Sequence, residues 1–350
     1  MSLVHQIGAQ VLSRLDPETA HRATIAALKL GLGPHDQAPD DPVLATRFAG
    51  LDLPNPVGLA AGFDKNAEAP DAMLAAGFGL VECGTVTPFP QAGNERPRLF
   101  RLREDRAVIN RMGFNNQGLD AFAGRLKRRA RTGVVGANLG ANKDSSDRIA
   151  DYVAGLRRLW GHADYFVVNI SSPNTPGLRA LQTKAALEDL LGRLAEARAR
   201  LAEPFATPVF LKVAPDLSPE EPPVIGEAVL AARIDAVIVS NTTISRPPTL
   251  RSRFKDETGG LSGTPLKDLA LATLIRFREA FGDSLPLIGV GGIASGADAY
   301  ERIRAGAGLV QLYSALVYGG PGLVSQIKRD LAARLKADGF SSVAEAIGRG

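Results

Sequence analysis

Two stretches carry residue types that their surroundings do not explain. Residues 167–177 read VVNISSPNTPG: a buried strand breaks into Asn169, Ser171, Ser172, Asn174 and Thr175, with Pro173 and Pro176 among them. A connecting turn needs one or two such residues. This many hydroxyls and amides on a stiffened backbone suit a surface that holds something flat and polar. Lys212 sits inside the apolar run VFLKVAP. A lysine there is costly to bury alone, so it either pairs with an anion or forms a Schiff base. Lys65, in AAGFDKN, is a second candidate cation, and Asp64 beside it either caps a helix or partners a lysine.

Asparagine is the other excess. Asn110, Asn115, Asn116, Asn138, Asn169, Asn174 and Asn241 fall at strand ends or in one long connection. Each alone is a turn residue; together they suit a neutral, amide-rich ring, because Asn both donates and accepts. GVGGIASG, residues 289–296, contains a G-x-G-x-x-A pattern. It opens no βαβ unit and no acidic strand end follows it, so it is not a dinucleotide fingerprint. Gly291-Gly292 and Tyr313-Ser314 either bind phosphate through backbone N–H groups or form plain tight turns.

These residues need elements that bring them together. From residue 55 a short apolar strand, a polar or Gly-rich end and a helix recur. The strands are PVGLAA, GLVECGT, GVVGANLG, YFVVNIS, PVFLKVA, DAVIVSN, PLIGVGG and GLVQLYS, with helices such as 184–202 and 267–281 between them. Eight strand–helix units predict an α/β fold, a (β/α)8 TIM barrel, whose active-site face is formed by the strand C-termini. RPRLFRLREDRAVINRMGFNN is too long for a plain connection and predicts a small hairpin over that face. None of His5, His21, His35 and His162 lies at a strand end, so neither a metal site nor a His base is expected there.

Residues 1–45 differ. Val4, Ile7, Val11, Leu12 and Leu15 recur at helical spacing, and Asp16-Pro17 caps a second helix that runs through Ile25, Leu28 and Leu30 to Gly31 and Gly33-Pro34. The spacing predicts an amphipathic helical hairpin on a flexible polar linker, PHDQAPDDP, with residues 46–350 as the barrel. The chain has 350 residues, 45% hydrophobic and 22% charged, which suits a soluble globular protein. No apolar run reaches the ~18 residues of a membrane span, and no secretory signal is read at the start. Cys83 is the one cysteine, so an internal disulfide is excluded and a reducing compartment is expected. A net charge of +4 with scattered Lys and Arg argues against a nucleic-acid partner.

AAGFDKN, NRMGFNNQG, NISSPNTPGLR, LKVAPDL, SNTT, GGLSG and GVGGI, in this order along essentially the whole chain, resemble the dihydroorotate dehydrogenases. The resemblance implies an FMN-containing barrel that oxidises dihydroorotate to orotate in pyrimidine (UMP) synthesis. One class of the family is soluble and uses a cysteine base. The other is membrane-associated, uses a serine, and carries an N-terminal helical extension through which quinone enters. Ser172 and the hairpin resemble the second class, which implies a peripheral protein on the cytoplasmic face of the cell membrane. Before residue 34 only Arg14, Arg22 and Lys29 oppose two acidic residues, so lipid contact would rest on apolar area.

The resemblance further implies Ser172 as catalytic base. It implies FMN contacts from Ala61, Gly62, Lys65, Thr85, Asn138, Asn169, Lys212, Ser240, Gly263, Gly292, Tyr313 and Ser314. It implies substrate contacts from Lys65, Asn110, Arg111, Met112, Gly113, Phe114, Asn169, Asn174, Asn241 and Thr242. Ser240 stands where members often have Thr, and Ala141 where they often have Lys; Ser240 keeps the hydroxyl. His21 is placed to hydrogen-bond a quinone carbonyl. The rival readings are a flavin-dependent pyrimidine oxidoreductase with another acceptor, a Schiff-base aldolase on Lys212, and a non-enzymatic binding barrel.

Overall fold

The computed structural model describes residue 12, residues 14–201 and residues 207–350. Eight short runs rich in Val, Ile and Leu form a closed parallel barrel: β3 (Val57–Leu59), β4 (Leu80–Val86), β7 (Val134–Leu139), β8 (Tyr165–Asn169), β9 (Val209–Val213), β10 (Ala236–Val239), β12 (Leu287–Val290) and β13 (Ala307–Leu312). They pair in chain order, and β13 closes on β3 with Val310 opposite Val57. All eight coincide with the strands expected from sequence. Strand alternation divides the core into two layers. Leu80, Val167, Phe210, Ile238, Ile288 and Leu309 fill the barrel, while Val81, Val135, Leu211, Val237 and Val310 pack outward under the helices. Both faces are covered, which is why these strands read as continuous apolar runs.

A hairpin of β1 (Thr46–Phe48) and β2 (Leu51–Leu53) closes the bottom. Its two turn residues, Ala49 and Gly50, both have positive φ (48° and 84°), as a tight two-residue hairpin demands. The Phe48 ring meets Phe210 edge-on, with centroids 5.9 Å apart. A Cβ at Gly308 would come within 2.7 Å of that ring, so the plug requires glycine there. At the other end, β5 (Leu99–Leu102) and β6 (Ala107–Asn110) form the hairpin expected from the long connection. A third strand, β11 (Gly260–Gly263), pairs antiparallel with β6 and comes from the segment after β10. Two of its four residues are glycine, so no strand pattern announced it.

The helix α1 (Pro17–Lys29) begins where the Asp-Pro pair predicted: Asp16 Oδ1 accepts from the Glu18 and Thr19 N–H groups at 3.1 and 3.0 Å. The preceding helix, expected over residues 4–15, lies mostly outside the described residues. The linker after α1 is not loose as the sequence suggested. Asp36 pairs with the buried Lys328 at 2.9 Å, and Asp40 pairs with the same ammonium. Lys328 belongs to α10 (Leu323–Ala337), so the linker is clasped to the barrel's outer layer. In chain order the intervening helices are α2 (Pro70–Ala75), α3 (Gly118–Arg128), α4 (Arg148–Leu159), α5 (Lys184–Leu201), α6 (Glu221–Ala231), α7 (Lys267–Phe281), α8 (Gly296–Arg304) and α9 (Ser314–Gly319), and α11 (Val343–Ala346) ends the chain.

Candidate active site

The strand C-termini, the β5–β6–β11 sheet and α1 together enclose a cavity of about 800 Å³. Its polar end begins with the stretch after β8. Ser171 and Ser172 are buried there, and Ser172 Oγ accepts the Asn174 N–H at 3.3 Å, so Pro173 is bracketed by a local loop bond. Asn174 Nδ2 donates to Asn110 Oδ1 at 3.2 Å, and Asn94 Nδ2 donates to the Asn174 carbonyl at 3.0 Å, joining this loop to the end of β6 and to the segment that leads into β5. Arg179 donates to the Ser171 and Thr242 carbonyls, each at 3.2 Å, and pairs with Asp216 at 3.0 Å. Arg179 therefore clamps the loop after β8 to the loop after β10.

Asn169, at the end of β8, is the hub of the ring. Its Nδ2 donates to Thr85 Oγ1 at 3.0 Å, and its Oδ1 accepts from Ser171 Oγ at 3.1 Å and Asn241 Nδ2 at 3.2 Å. The two lysines sit on either side of this ring's chemistry. Lys65 Nζ donates to Asn115 Oδ1 at 2.9 Å. Burial, with repulsion from Arg98 added, pushes the Lys65 ammonium down to about 8. Lys212 is 5% exposed and its Nζ lies 3.6 Å from Glu82 Oε1, which is the anion partner a buried lysine calls for. Asp64 is settled too: its carboxylate accepts the N–H groups of Asn66, Glu68 and Ala69 at 3.3, 2.8 and 2.7 Å, capping the turn before α2 and partnering no lysine.

Most residues named from the sequence line this one cavity: Ala61, Gly62, Lys65, Thr85, Asn110, Met112, Gly113, Phe114, Asn169, Ser172, Asn174, Lys212, Ser240, Asn241, Thr242, Gly263, Gly292, Tyr313 and Ser314. Of the contacts implied by the resemblance, Arg111 and Asn138 do not reach it, and Asn115 and Asn116 of the amide ring do not line it either. The Arg111 side chain turns away to Glu257 at 2.6 Å and stacks over Phe100, 4.6 Å from the ring centroid. Asn138 lies one layer below, fully buried, accepting from Thr85 Oγ1 at 2.5 Å. Several polar residues of the site went unnoticed in the sequence, among them Arg101, Arg106, Ser262, Gln311 and Tyr318 on the cavity wall and Glu82 beneath it. Ser262 Oγ meets Ser314 Oγ at 2.7 Å, while Glu82 and Gln311 lie inside the barrel. Glu82 carried the same signal as Lys212, a charge within an apolar strand.

The cavity's other end is mostly apolar, with Arg101, which donates to the Leu15 carbonyl at 2.9 Å, and Tyr318 as polar exceptions. Pro17, Ala20, His21, Thr24, Ala27 and Leu28 of α1, then Leu32, line it at helical spacing, facing Val324 of α10 and Leu316 of α9. Polar contacts hold α1 over this space. Glu18 pairs with Arg98 at 2.7 Å and Arg96 at 2.8 Å, which holds its carboxyl down at about 2, and Lys29 pairs with Glu68 at 2.7 Å. His21 Nε2 stands 2.7 Å from the Phe63 carbonyl. A carbonyl only accepts, so Nε2 carries the proton. Burial pushes His21 down to about 4, the ring is neutral near pH 7, and Nδ1 remains as an acceptor.

Similarity to known proteins follows this geometry. Residues 43–335 match the family model described as dihydroorotate dehydrogenase. A dihydroorotate dehydrogenase (quinone) of Xanthobacter autotrophicus is 59% identical over 95% of both chains. One of Rhodospirillum rubrum is 56% identical over 98% of this chain and 94% of its own. Among solved structures, DHODH of Eimeria tenella in complex with ferulenol superposes with a TM-score of 0.92 at 41% identity, covering 95% of each chain. The barrel, the serine-bearing loop after β8 and these similarities agree: the chain belongs to the dihydroorotate dehydrogenase family, and its relatives named here are quinone-dependent members.

Proposed function

We propose that the cavity is one oxidoreductase site with two entrances: dihydroorotate lies in its polar end beside FMN, and a quinone approaches from the apolar end. The reaction yields orotate for pyrimidine biosynthesis. The observation that carries this reading is continuity, because Ser172, Asn169 and Lys65 line the same cavity as Leu28, Leu32 and Val324. A barrel with the polar end alone would suit the rival that uses a soluble acceptor.

The residues present fit FMN. Gln311 Oε1, on the cavity wall, has no hydrogen-bond partner within the protein, and a flavin ring carries donors and acceptors along one edge. Gly291 and Gly292 have φ of 112° and 73°, and a Cβ on Gly292 would come within 2.5 Å of the Lys267 backbone, so the chain there stays bare. With Tyr313 and Ser314 they would hold the phosphate, while Lys212, Thr85, Ser240 and Gly263 would hold the ring system and Ala61 and Gly62 its far face. When bound, FMN would supply a two-electron acceptor for the hydride leaving C6 of dihydroorotate and a donor for the quinone.

The chain's own residues do the rest. Lys65 binds the substrate carboxylate, and Asn110, Asn174, Asn241 and Thr242 match the amide groups of its ring. Met112, Gly113 and Phe114 close over it as the lid. Ser172 Oγ takes the C5 proton. Its one hydrogen bond among the described residues is the long contact from the Asn174 N–H at 3.3 Å, which leaves a lone pair for that task. A serine is a weak base and must hand the proton on; Thr175, buried three residues further, or a water would receive it. Lys212, paired with Glu82, would hold the ring system on the side where reduction adds negative charge.

At the other end residues 1–45 serve the quinone and residues 46–350 the flavin. His21, with its donor committed to Phe63, offers an acceptor, which suits a quinol hydroxyl better than the quinone carbonyl expected from sequence. Leu30 and Leu32 are 77% and 64% exposed beside this mouth, an apolar edge suited to rest on a bilayer at the membrane's cytoplasmic face. No helix among the described residues is long and apolar enough to cross a membrane, so attachment would be peripheral. The test is direct. The purified protein should carry releasable FMN, and orotate should perturb its absorbance. A folded protein that neither contains nor takes up FMN would overturn the reading.

A further inference from the structure

Glu82 stands in the middle of β4, inside the barrel, with none of its surface exposed. A carboxylate sealed in protein is costly unless donors meet its oxygens. Asn138 Nδ2 donates to Oε1 at 2.6 Å, Gln311 Nε2 donates to Oε2 at 2.7 Å, and Lys212 Nζ lies 3.6 Å from Oε1.

A carboxylate only accepts, so it dictates which end of each neighbouring amide faces it. Asn138 must present its NH2, which leaves its oxygen to accept the Thr85 hydroxyl proton at 2.5 Å. That hydroxyl, its one proton committed, accepts from Asn169 Nδ2 at 3.0 Å. Asn169 Oδ1 must then accept, and it does so from Asn241 Nδ2 at 3.2 Å. Each link has one sense compatible with the link below it. The direction set at the barrel's centre therefore reaches Asn169 and Asn241 on the cavity wall. Gln311 is fixed by the same rule: with Nε2 on Glu82, its unpartnered Oε1 is the end left over.

We propose that Glu82 is a positioning residue for the reaction: its charge sets the direction of the hydrogen-bond chain Asn138–Thr85–Asn169–Asn241 and counterbalances Lys212 beside the flavin. The proposal rests on the FMN and dihydroorotate reading of the cavity. Fixed amide ends can meet a planar ring bearing its own amides without reorganising, and a carboxylate beneath Lys212 limits how far that cation favours the reduced flavin. Glutamine has nearly the shape of glutamate, but it is uncharged and its amide can face Asn138 either way round, so the chain loses its single sense.

The experiment compares native holoprotein with Glu82→Gln and Glu82→Asp. Flavin content, the midpoint potential of the bound flavin and the orotate dissociation constant, followed by flavin absorbance, are measured for each. Glu82→Gln is expected to shift the potential upward, because a negative charge near the reduced ring is gone, and to weaken orotate on the order of tenfold. Glu82→Asp keeps the charge but shortens its reach. It is expected to restore the native potential while orotate stays weakened. Native potential and native orotate affinity in Glu82→Gln overturn the proposal. If that variant fails to fold or to hold flavin, Glu82→Asp decides, and native orotate affinity there overturns the direction-setting role. Native protein that takes up no flavin overturns the functional reading, and the proposal with it.

Discussion

At the barrel mouth Asn169 meets Thr85, Ser171 and Asn241 through bonds of 3.0, 3.1 and 3.2 Å. Beneath α1, the helix offers two polar side chains to the cavity, His21 and Thr24, and the donors of both are spent on backbone carbonyls, of Phe63 and Ala20. One end is a ring of side chains that fix one another and discriminate by hydrogen bonds. The other supplies shape and apolar area, which accept many greasy molecules but distinguish them poorly. The two ends also differ in how they are held. The ring is anchored in barrel strands, whereas α1 is attached by its ion pairs, the His21 bond to Phe63 and one buried face of Ala20, Ile25 and Leu28.

The sharpest break comes at the polar end. Ser172→Ala should leave flavin and orotate bound, yet slow flavin reduction by dihydroorotate roughly 10²–10⁴-fold, the usual worth of a general base. Anaerobic stopped-flow at neutral pH reads this, and near-native reduction would remove Ser172 from the mechanism. The converse break is Ala27→Trp, which fills the apolar end. Reoxidation by a long-chain quinone should fall on the order of 10²-fold, as misplacement of reactants by an ångström does, while flavin reduction stays native. Equal loss in both half-reactions would mean the ends are not separable.

A third outcome sharpens the polar side. Lys65, displaced from its ordinary 10.5 to about 8, loses its charge as pH rises through 8. Orotate affinity should therefore be full below that pH and fall about tenfold between pH 7 and 9. A Lys65→Met variant should bind weakly without that dependence. The smallest effect is at the attachment of α1. Glu18, held at about 2 against an ordinary 4.5, contributes stability that is present above 4.5 and is lost as pH falls toward 2. Cleavage near α1 in limited proteolysis should rise over that window, and in Glu18→Gln it should be high already at neutral pH. Removing the partner leaves Arg98 short of an acceptor, a cost of about 2 kcal/mol.

The strands were legible because each is short, apolar and ended by polar residues. The loop after β8 was legible because hydroxyls and amides are unusual at the end of such a strand. Asp16-Pro17 likewise announced the start of α1. What stayed hidden has a common cause: sequence shows a residue's type and not its face. Glu82 and Lys212 are equal anomalies in their strands, and only the barrel's closure reveals that they point at each other. Arg111 lies within a stretch that otherwise faces the substrate, but as the residue after β6 it turns outward to Glu257. Asp36 and Asp40 read as a polar linker because their partner, Lys328, lies nearly 300 residues away along the chain.

The central claim is that two separable half-reactions meet in one cavity, and double-mixing stopped-flow on the native protein tests it most directly. Dihydroorotate is mixed first, without oxygen, and a long-chain quinone second. The flavin absorbance should bleach in the first step and return in the second. Ser172→Ala should remove the first phase, and chemically reduced Ser172→Ala should still show the second at the native rate. A flavin that dihydroorotate does not bleach, or a second phase that Ser172→Ala slows as much as the first, would contradict it.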